Sequence, residues 1–178
     1  MKKLSVIAVL VAVGLVGGFA FAKSMSVPWF VDNAPTAAFY PPTQGTMAII
    51  YLHNNLATPK ECTIQYFNEN GVELVLPPGG NTFTVPALST VAFRPVADDP
   101  SSIGGGQESP IAQAIPNRPT TDGKKNGALV IAWQGEATDI QGILQQGQYI
   151  SKSAAQYVGK LDANLVTSYA TLLPPGGG

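Results

Sequence analysis

The chain has 178 residues, only 12% of them charged, and its formal net charge at pH 7 is −1. This length suits one ordinary domain, and so small a charge leaves no basic footprint for a nucleic acid. One histidine and one cysteine exclude a two-histidine metal site and an intramolecular disulfide.

The first 22 residues have the three parts of a secretory signal peptide. Lys2 and Lys3 precede an uncharged apolar stretch, which ends in the small residues of Ala20-Phe21-Ala22. The sequence therefore predicts cleavage after Ala22 and export to the periplasm or the cell exterior, with one domain over residues 23–178. The alternative is an uncleaved anchor, since the apolar stretch is near the lower length limit for a transmembrane helix.

Short β-prone runs, separated by Gly, Pro and Asn, follow the predicted cleavage point. Asn70-Gly71 predicts a tight hairpin turn between two of them. Strands of this length with turns at this spacing predict an all-β fold, a single antiparallel β-sandwich that is Ig-like in the broad sense. The predicted strands before the middle of the chain cover residues 28–31, 46–53, 61–67, 72–76, 81–85 and 89–94.

Residues 95–126 contain five prolines and a run of three glycines, without hydrophobic periodicity. They predict one long loop, and loops of this size are usually functional or disordered. Residues 128–133 then predict a central strand buried on both faces, and residues 138–144 a strand that pairs back onto it. Residues 164–173 predict the last strand, before a glycine-rich flexible tail, whereas residues 145–160 are ambiguous and include a possible helical turn.

The single cysteine and histidine both have structural interpretations. Cys62 alternates in phase with Ile64 and Tyr66, which predicts a buried, inert thiol rather than an intermolecular bridge. His53 stands at a strand end and is interpreted as a structural hydrogen-bonding residue rather than a catalytic base. Glu136 and Asp139 flank a predicted turn and are expected to be solvated. We therefore expect no enzyme, no metal and no cofactor.

Five residues are candidates for ligand or partner contacts. Trp29, Phe30 and Tyr40 lie in a segment predicted to be irregular, where exposed aromatic rings could stack on sugars or cover an edge of the sandwich. Asp98 and Asp99 lie in the long loop and, with Asp122 or Glu108, could hold calcium through oxygen ligands. Their spacing matches no EF-hand, so a turn is the simpler interpretation.

Arg94 ends an apolar strand, immediately before the predicted long loop. We expect its side chain to anchor the base of that loop through a carboxylate or a carbonyl group.

The order of several short motifs resembles that of the sensory rhodopsin transducer family. The motifs are Trp29-Phe30-Val31, Ile50-x-Leu52-x-Asn54, Thr63-Ile64-x-Tyr66, Thr84-Val85-Pro86-Ala87-x-Ser89-x-x-x-x-Arg94 and the apolar strand near Val130. The resemblance covers about residues 28–144 and implies a compact sandwich that assembles into a homo-oligomer and binds a partner or small ligand without catalysis. The predicted export signal and the longer loop depart from that family, so only the fold and the tendency to oligomerise are carried over.

Together these features predict a non-enzymatic protein of the bacterial envelope or exterior. Its neutral surface, rich in Asn, Gln and Thr, offers little charge repulsion between copies. We expect protein–protein contacts, either self-association into an oligomer or fibre or contacts with another envelope or extracellular protein, with no membrane span after cleavage. The alternative is a carbohydrate- or small-ligand-binding module that uses Trp29, Tyr40 and the long loop.

Overall fold

The computed structural model describes residues 22–35, 38, 40, 42–97, 115–121, 125–150, 165–173 and 175–176, and these residues contain no helix. They form two antiparallel sheets around a common hydrophobic core. The predicted all-β sandwich is confirmed. The strands are β1 (Ala22–Val31), β2 (Thr46–Asn54), β3 (Lys60–Phe67), β4 (Glu73–Leu74), β5 (Thr82–Val85), β6 (Thr90–Phe93), β7 (Asn126–Gln134), β8 (Ile140–Ile150), β9 (Leu165–Leu173) and β10 (Pro175–Gly176).

The two sheets differ in how their strands follow the sequence. The larger sheet has the order β10-β1-β7-β3, and β4 and β5 both pair with the outer side of β3. The smaller sheet has the order β6-β2-β8-β9. Neighbouring strands in each sheet are mostly distant in sequence, so the chain passes repeatedly from one sheet to the other.

The core follows the period-2 alternation of the strands. In β7, Leu129, Ile131 and Trp133 point inward and are buried, and they pair in register with buried residues of β3. The residues between them are partly exposed. β7 is therefore central, as predicted, but the prediction that it is buried on both faces is wrong.

β1 is longer than the predicted strand of residues 28–31, because it begins at Ala22. Met25 and Val27 point into the core, and the pairing with β7 is then interrupted by a bulge between Val27 and Phe30. The extra residue shifts the alternation by one position, so that Phe30 is fully buried while Trp29 stays exposed. The sequence pattern hides this strand because the bulge interrupts its phase.

β2 is covered on both faces. Ala48, Ile50 and Leu52 point into the core between the sheets. On the opposite face, Met47 and Ile49 form a second apolar cluster. The segment that follows β1 lies over this face, and the cluster also includes Ala34, Ala38, Tyr40, Tyr51 and Ala92.

The other strand predictions vary in accuracy. The predicted strands at 46–53, 61–67, 81–85, 89–94 and 164–173 agree with β2, β3, β5, β6 and β9 to within one residue at either end. The predicted strand at 72–76 shortens to the two residues of β4. The prediction that residues 138–144 pair back onto β7 is wrong, because β8 crosses to the other sheet and pairs with β2 and β9.

Residues 115–118 of the predicted long loop pack against the sandwich. Ile115 joins the hydrophobic core. The hydroxyl of Tyr66 donates a hydrogen bond to the carbonyl of Pro116 (2.9 Å). The side chain of Asn117 donates to the carbonyl of Ala97 (3.0 Å), and the amide of Arg118 donates to the carbonyl of Val96 (3.3 Å). The last two hydrogen bonds join residues 96–97 to residues 117–118 at the base of the loop, and we call this contact the neck.

Candidate functional site: the sheet edges

The predicted contact residues do not form one site in the described residues. Trp29 lies in the bulge of β1 with 44% of its surface exposed, whereas Phe30 is fully buried in the core and offers no contact surface. Tyr40 is half-buried, and its ring covers Gly147 of β8. The expectation that Phe30 is an exposed ring is therefore wrong, and Tyr40 lies against β8, an inner strand of its sheet, rather than over an edge of the sandwich. No described contact joins Tyr40 to Trp29.

The acidic candidates of the long loop lie outside the described residues. These are Asp98 and Asp99, together with the calcium alternatives Glu108 and Asp122. The chain reaches Asp98 directly after Ala97, which belongs to the neck. In the part of the chain that the structure describes, no group of three or more His, Cys, Asp or Glu side chains is placed to hold a metal ion.

The sheet edges are the places where the backbone of this fold can meet another chain. An edge strand presents unpaired N–H and C=O groups, and natural proteins protect such edges with short strands, prolines, bulges or covering segments. Three edges of this sandwich carry such protection. β4 and β5 have two and four residues, and Pro77 and Pro78 lie between them.

The β1 edge of the larger sheet is protected in three ways. β10 pairs only with Ser24 and Met25 of β1. Beyond that point the strand carries Pro28 and the bulge. The amide of Val31 is then occupied by the side chain of Gln146, whose oxygen accepts a hydrogen bond from it (3.2 Å). This edge therefore presents no regular run of free amides.

The β6 edge of the smaller sheet is closed by the chain segment that follows β1. β6 has only four residues, so β2 extends past it. There the carbonyl of Thr46 accepts hydrogen bonds from the amides of Asn33 (2.8 Å) and Ala34 (2.9 Å). The carboxylate of Asp32 accepts one from the amide of Ala48 (3.2 Å). Residues 32–34 thus bind backbone groups of Thr46 and Ala48 that β6 leaves uncovered.

A buried ion pair fixes this closing segment. Arg94, the residue after β6, donates from Nη2 to Oδ1 of Asp32 (2.6 Å) and from Nε to Oδ2 (2.9 Å). Nη2 also donates to the carbonyl of Ala34 (3.2 Å), and Nη1 donates to the carbonyl of Pro35 (3.1 Å). Both side chains are buried, 1% and 0% exposed. The predicted carboxylate and carbonyl partners are found, but they belong to the segment after β1 rather than to the long loop.

Burial and pairing act in opposite directions on Asp32. Desolvation by burial raises the pKa of its carboxyl group, whereas the hydrogen bonds and the charge of Arg94 lower it, and burial has the larger effect. A bidentate guanidinium–carboxylate pair with further hydrogen bonds to backbone carbonyls is the arrangement that makes such burial tolerable.

The β9 edge has no such protection in the described residues. β9 is nine residues long, with the sequence Leu-Val-Thr-Ser-Tyr-Ala-Thr-Leu-Leu, and it contains no charged residue, no proline and no glycine. Its whole length pairs with β8 on one side. No described strand pairs with its other side. A long, uncharged, proline-free edge is the kind that accepts another strand.

The far end of the sandwich holds a second ion pair. Nζ of Lys60 lies 2.9 Å from Oδ2 of Asp139 and also donates to the carbonyl of Gln134 (2.9 Å). Burial of the Asp139 carboxyl group raises its pKa, but the hydrogen bonds from Lys60 and from the amide of Glu136 outweigh this, so its pKa is lowered. The expectation that Asp139 is solvated is wrong, while Glu136 is exposed.

The remaining predicted residues have structural roles. Cys62 is buried as predicted, and desolvation raises the pKa of its thiol to about 12. Little thiolate is therefore present at neutral pH. The Nδ1 atom of His53 lies 2.9 Å from the hydroxyl of Thr90 on the neighbouring strand. Asn54, which sequence reasoning missed, is fully buried and donates to the carbonyls of Thr58, Val85 and Pro86.

The described surface includes clefts. One, of about 290 Å³, is lined by Val31, Asn33, Glu69, Lys125 and Asn126. Another, of about 160 Å³, lies beside β3 between β4 and β5. The first volume is at the lower limit of the usual range for a small-molecule site, roughly 300–1,000 Å³, and the second is below it. The described residues include no helix with the length and apolarity to cross a membrane.

Comparison with known proteins identifies no family. No protein-family model matches the chain, and no curated protein matches it at a significant level. Among solved structures, the crystal structure of Thermotoga maritima 1070 is similar at 10% sequence identity and a TM-score of 0.44, covering 85% of this chain and 92% of that one. Nothing about function is taken from a likeness of this size. The resemblance to sensory rhodopsin transducers stays a prediction.

Proposed function

We propose that this chain is a non-enzymatic exported protein of the bacterial envelope or exterior, which acts through protein–protein contacts at the β9 edge. One observation carries the proposal. Every other sheet edge in the described residues is short, interrupted or covered, whereas β9 presents nine uncharged residues without a partner strand on its outer side. Protecting every edge but one is expected where the remaining edge has a partner.

The direction of the backbone groups gives this edge its chemistry. The amide of Tyr149 donates to the carbonyl of Gly45, the residue before β2. The N–H and C=O groups of the odd-numbered residues of β8 therefore point toward β2, and those of the even-numbered residues point toward β9. Gln146 is opposite Tyr169, so the N–H and C=O groups of Tyr169 point toward β8. The alternate residues of β9 direct their N–H and C=O groups away from the sheet, and these are Val166, Ser168, Ala170 and Leu172.

A strand peptide tests whether the edge accepts a partner. The mature protein, residues 23–178, is titrated into a labelled peptide of residues 165–173 that carries terminal lysines for solubility. We expect saturable binding that is lost in Ser168→Pro, because proline removes an outward N–H without removing a hydrogen bond to β8. Thr90→Pro, at the first residue of the β6 edge, is the matched control and should bind as the wild type does. Equal binding to all three proteins would refute an edge-specific contact.

Export is tested separately. Expressed with its first 22 residues, the protein should be recovered from the periplasm or medium with Lys23 as its N-terminal residue. Recovery of the full-length chain in the membrane fraction would favour the uncleaved anchor instead.

A second candidate is a carbohydrate- or small-ligand-binding module, and the exposed Trp29 favours it. An indole ring held in a bulge, 44% exposed, offers a flat apolar face for a sugar ring. Binding on a glycan array should then disappear in Trp29→Ala and persist in Val75→Ala, which truncates another exposed apolar side chain. An array without signal for the wild-type protein would remove this candidate.

A further inference from the structure

The β9 edge can pair with the same edge of a second copy of the chain. In antiparallel pairing with a second copy of itself, β9 overlaps over its full length when Ser168 of each copy is opposite Ala170 of the other. Val166 is then opposite Leu172, so all four outward-facing residues of each strand find a hydrogen-bonding partner. The centre of this register is Tyr169, and a two-fold axis would pass midway between the two Tyr169 residues.

We infer that the partner at this edge is a second copy of this chain, joined through antiparallel pairing of β9 with β9 about a two-fold axis between the two Tyr169 residues. This inference rests on the function proposed above. The two four-stranded sheets would form one continuous sheet of eight strands across the dimer. Because the same surface is used by both copies, the contact is isologous and closes at two subunits.

The described sheet edges favour this closed dimer over an open fibre. A fibre would need β9 of one copy to add to a different edge of the next copy, such as the β6 edge of the same sheet. That strand offers four residues, and residues 32–34 already occupy the backbone beyond it. β9 offers nine residues and carries no charge, so two copies meet without repulsion between like charges.

Single cysteines test the register itself. In this pairing the two Tyr169 residues form a non-hydrogen-bonded pair with Cα atoms about 4.5 Å apart, which a disulfide can bridge. The Thr167 residues of the two copies would instead be four positions apart along the strands, roughly 13 Å. Mild oxidation should therefore cross-link Tyr169→Cys into a covalent dimer and leave Thr167→Cys monomeric on a non-reducing gel. The buried Cys62, whose thiol pKa is raised to about 12, does not compete.

The mass in solution tests the dimer without new cysteines. Residues 23–178 are measured by size-exclusion chromatography with light scattering over a hundredfold range of concentration. We expect twice the subunit mass at the upper end for the wild type and for Thr90→Pro, and the monomer mass for Ser168→Pro with an unchanged circular dichroism spectrum. If Ser168→Pro fails to fold, Ala170→Pro replaces it, since the two residues are partners in the proposed register.

Several outcomes would overturn the inference. They are a wild-type monomer at all concentrations, a mass that grows beyond two subunits, a dimer that persists in the folded proline variant, or equal cross-linking of Thr167→Cys and Tyr169→Cys. A wild-type monomer that still binds the strand peptide would refute the self-pairing and leave the proposed function standing. Loss of peptide binding together with the monomer would refute both.

Discussion

The two edges of the smaller sheet end in opposite ways. At β6 the chain closes its own edge: residues 32–34 pair with the end of β2, and the Asp32 carboxylate accepts the amide of Ala48. At β9 a longer strand ends the sheet with no described strand beyond it. Closing the β6 edge therefore requires polar groups from distant parts of the chain, here a carboxylate and a guanidinium 62 residues apart. No comparable set of polar contacts is described at the outer edge of β9.

The largest expected effect comes from breaking the closed edge. Arg94→Ala leaves the Asp32 carboxylate buried without its counter-charge, so we expect a loss of about 3–5 kcal/mol in the free energy of unfolding. Urea denaturation measures this directly.

The double variant Asp32→Leu/Arg94→Met is the control, because it removes both charges together and replaces them with apolar side chains. It should be more stable than Arg94→Ala, since replacing a buried pair by apolar groups costs much less than breaking it. A change below about 1 kcal/mol in Arg94→Ala would show that the pair does not hold this edge.

A smaller effect is expected at the β1 edge, which a single side chain protects. Gln146→Ala frees the amide of Val31, whose hydrogen bond to the Gln146 oxygen is partly buried. We expect a loss of about 1 kcal/mol in the free energy of unfolding. Gln148→Ala, an exposed position on the same strand, should change stability by less than about 0.5 kcal/mol. Equal losses in the two variants would contradict the capping role.

The smallest effect is expected at the partly exposed ion pair. Lys60→Met should cost at most about 1 kcal/mol, because the pair is only partly buried, with side chains 17% and 10% exposed, and Asp139 keeps its hydrogen bond from the amide of Glu136.

The same pair predicts a dependence of stability on pH. The pKa of Asp139 is lowered from its ordinary value of 3.8 in the folded state, so its contribution is fully present above about pH 4 and is lost as the pH falls through the folded pKa. In Asp139→Asn the part of the acid destabilisation that lies below pH 3.8 should become shallower. An unchanged slope in urea titrations at several acid pH values would contradict it.

The features that the sequence predicted correctly depend on neighbouring residues, whereas the features it missed depend on residues far apart in the chain. β2, β3, β5, β6 and β9 follow from alternation and from turn residues next to them, which are local signals. Alternation fails to predict β1 because of its bulge. One extra residue shifts the inward-facing positions by one, so that Phe30 is buried instead of Trp29. The pairing of β8 with β2 was missed because the choice of partner strand is not local.

The sequence showed the composition of the β9 edge but not its position in the sheet. That residues 165–173 lack charges and prolines can be read directly from the sequence, and marks a strand that another strand could join. Its place at the edge depends on the whole topology. The same holds for Asp32, whose role is evident only beside Arg94, and for Asn54, whose three carbonyl partners come from two other segments.

Hydrogen exchange of individual amides tests the contrast between the two edges most directly. In dilute solution the amide of Ala48 should exchange slowly, since Asp32 accepts its hydrogen bond, whereas the outward amides of Ser168 and Ala170 should exchange quickly. At concentrations where the protein pairs, the exchange of Ser168 and Ala170 should slow while that of Ala48 stays the same. Amides at Ser168 and Ala170 that are protected even at high dilution, or that stay unprotected at every concentration, would contradict an open edge that pairs with a second copy.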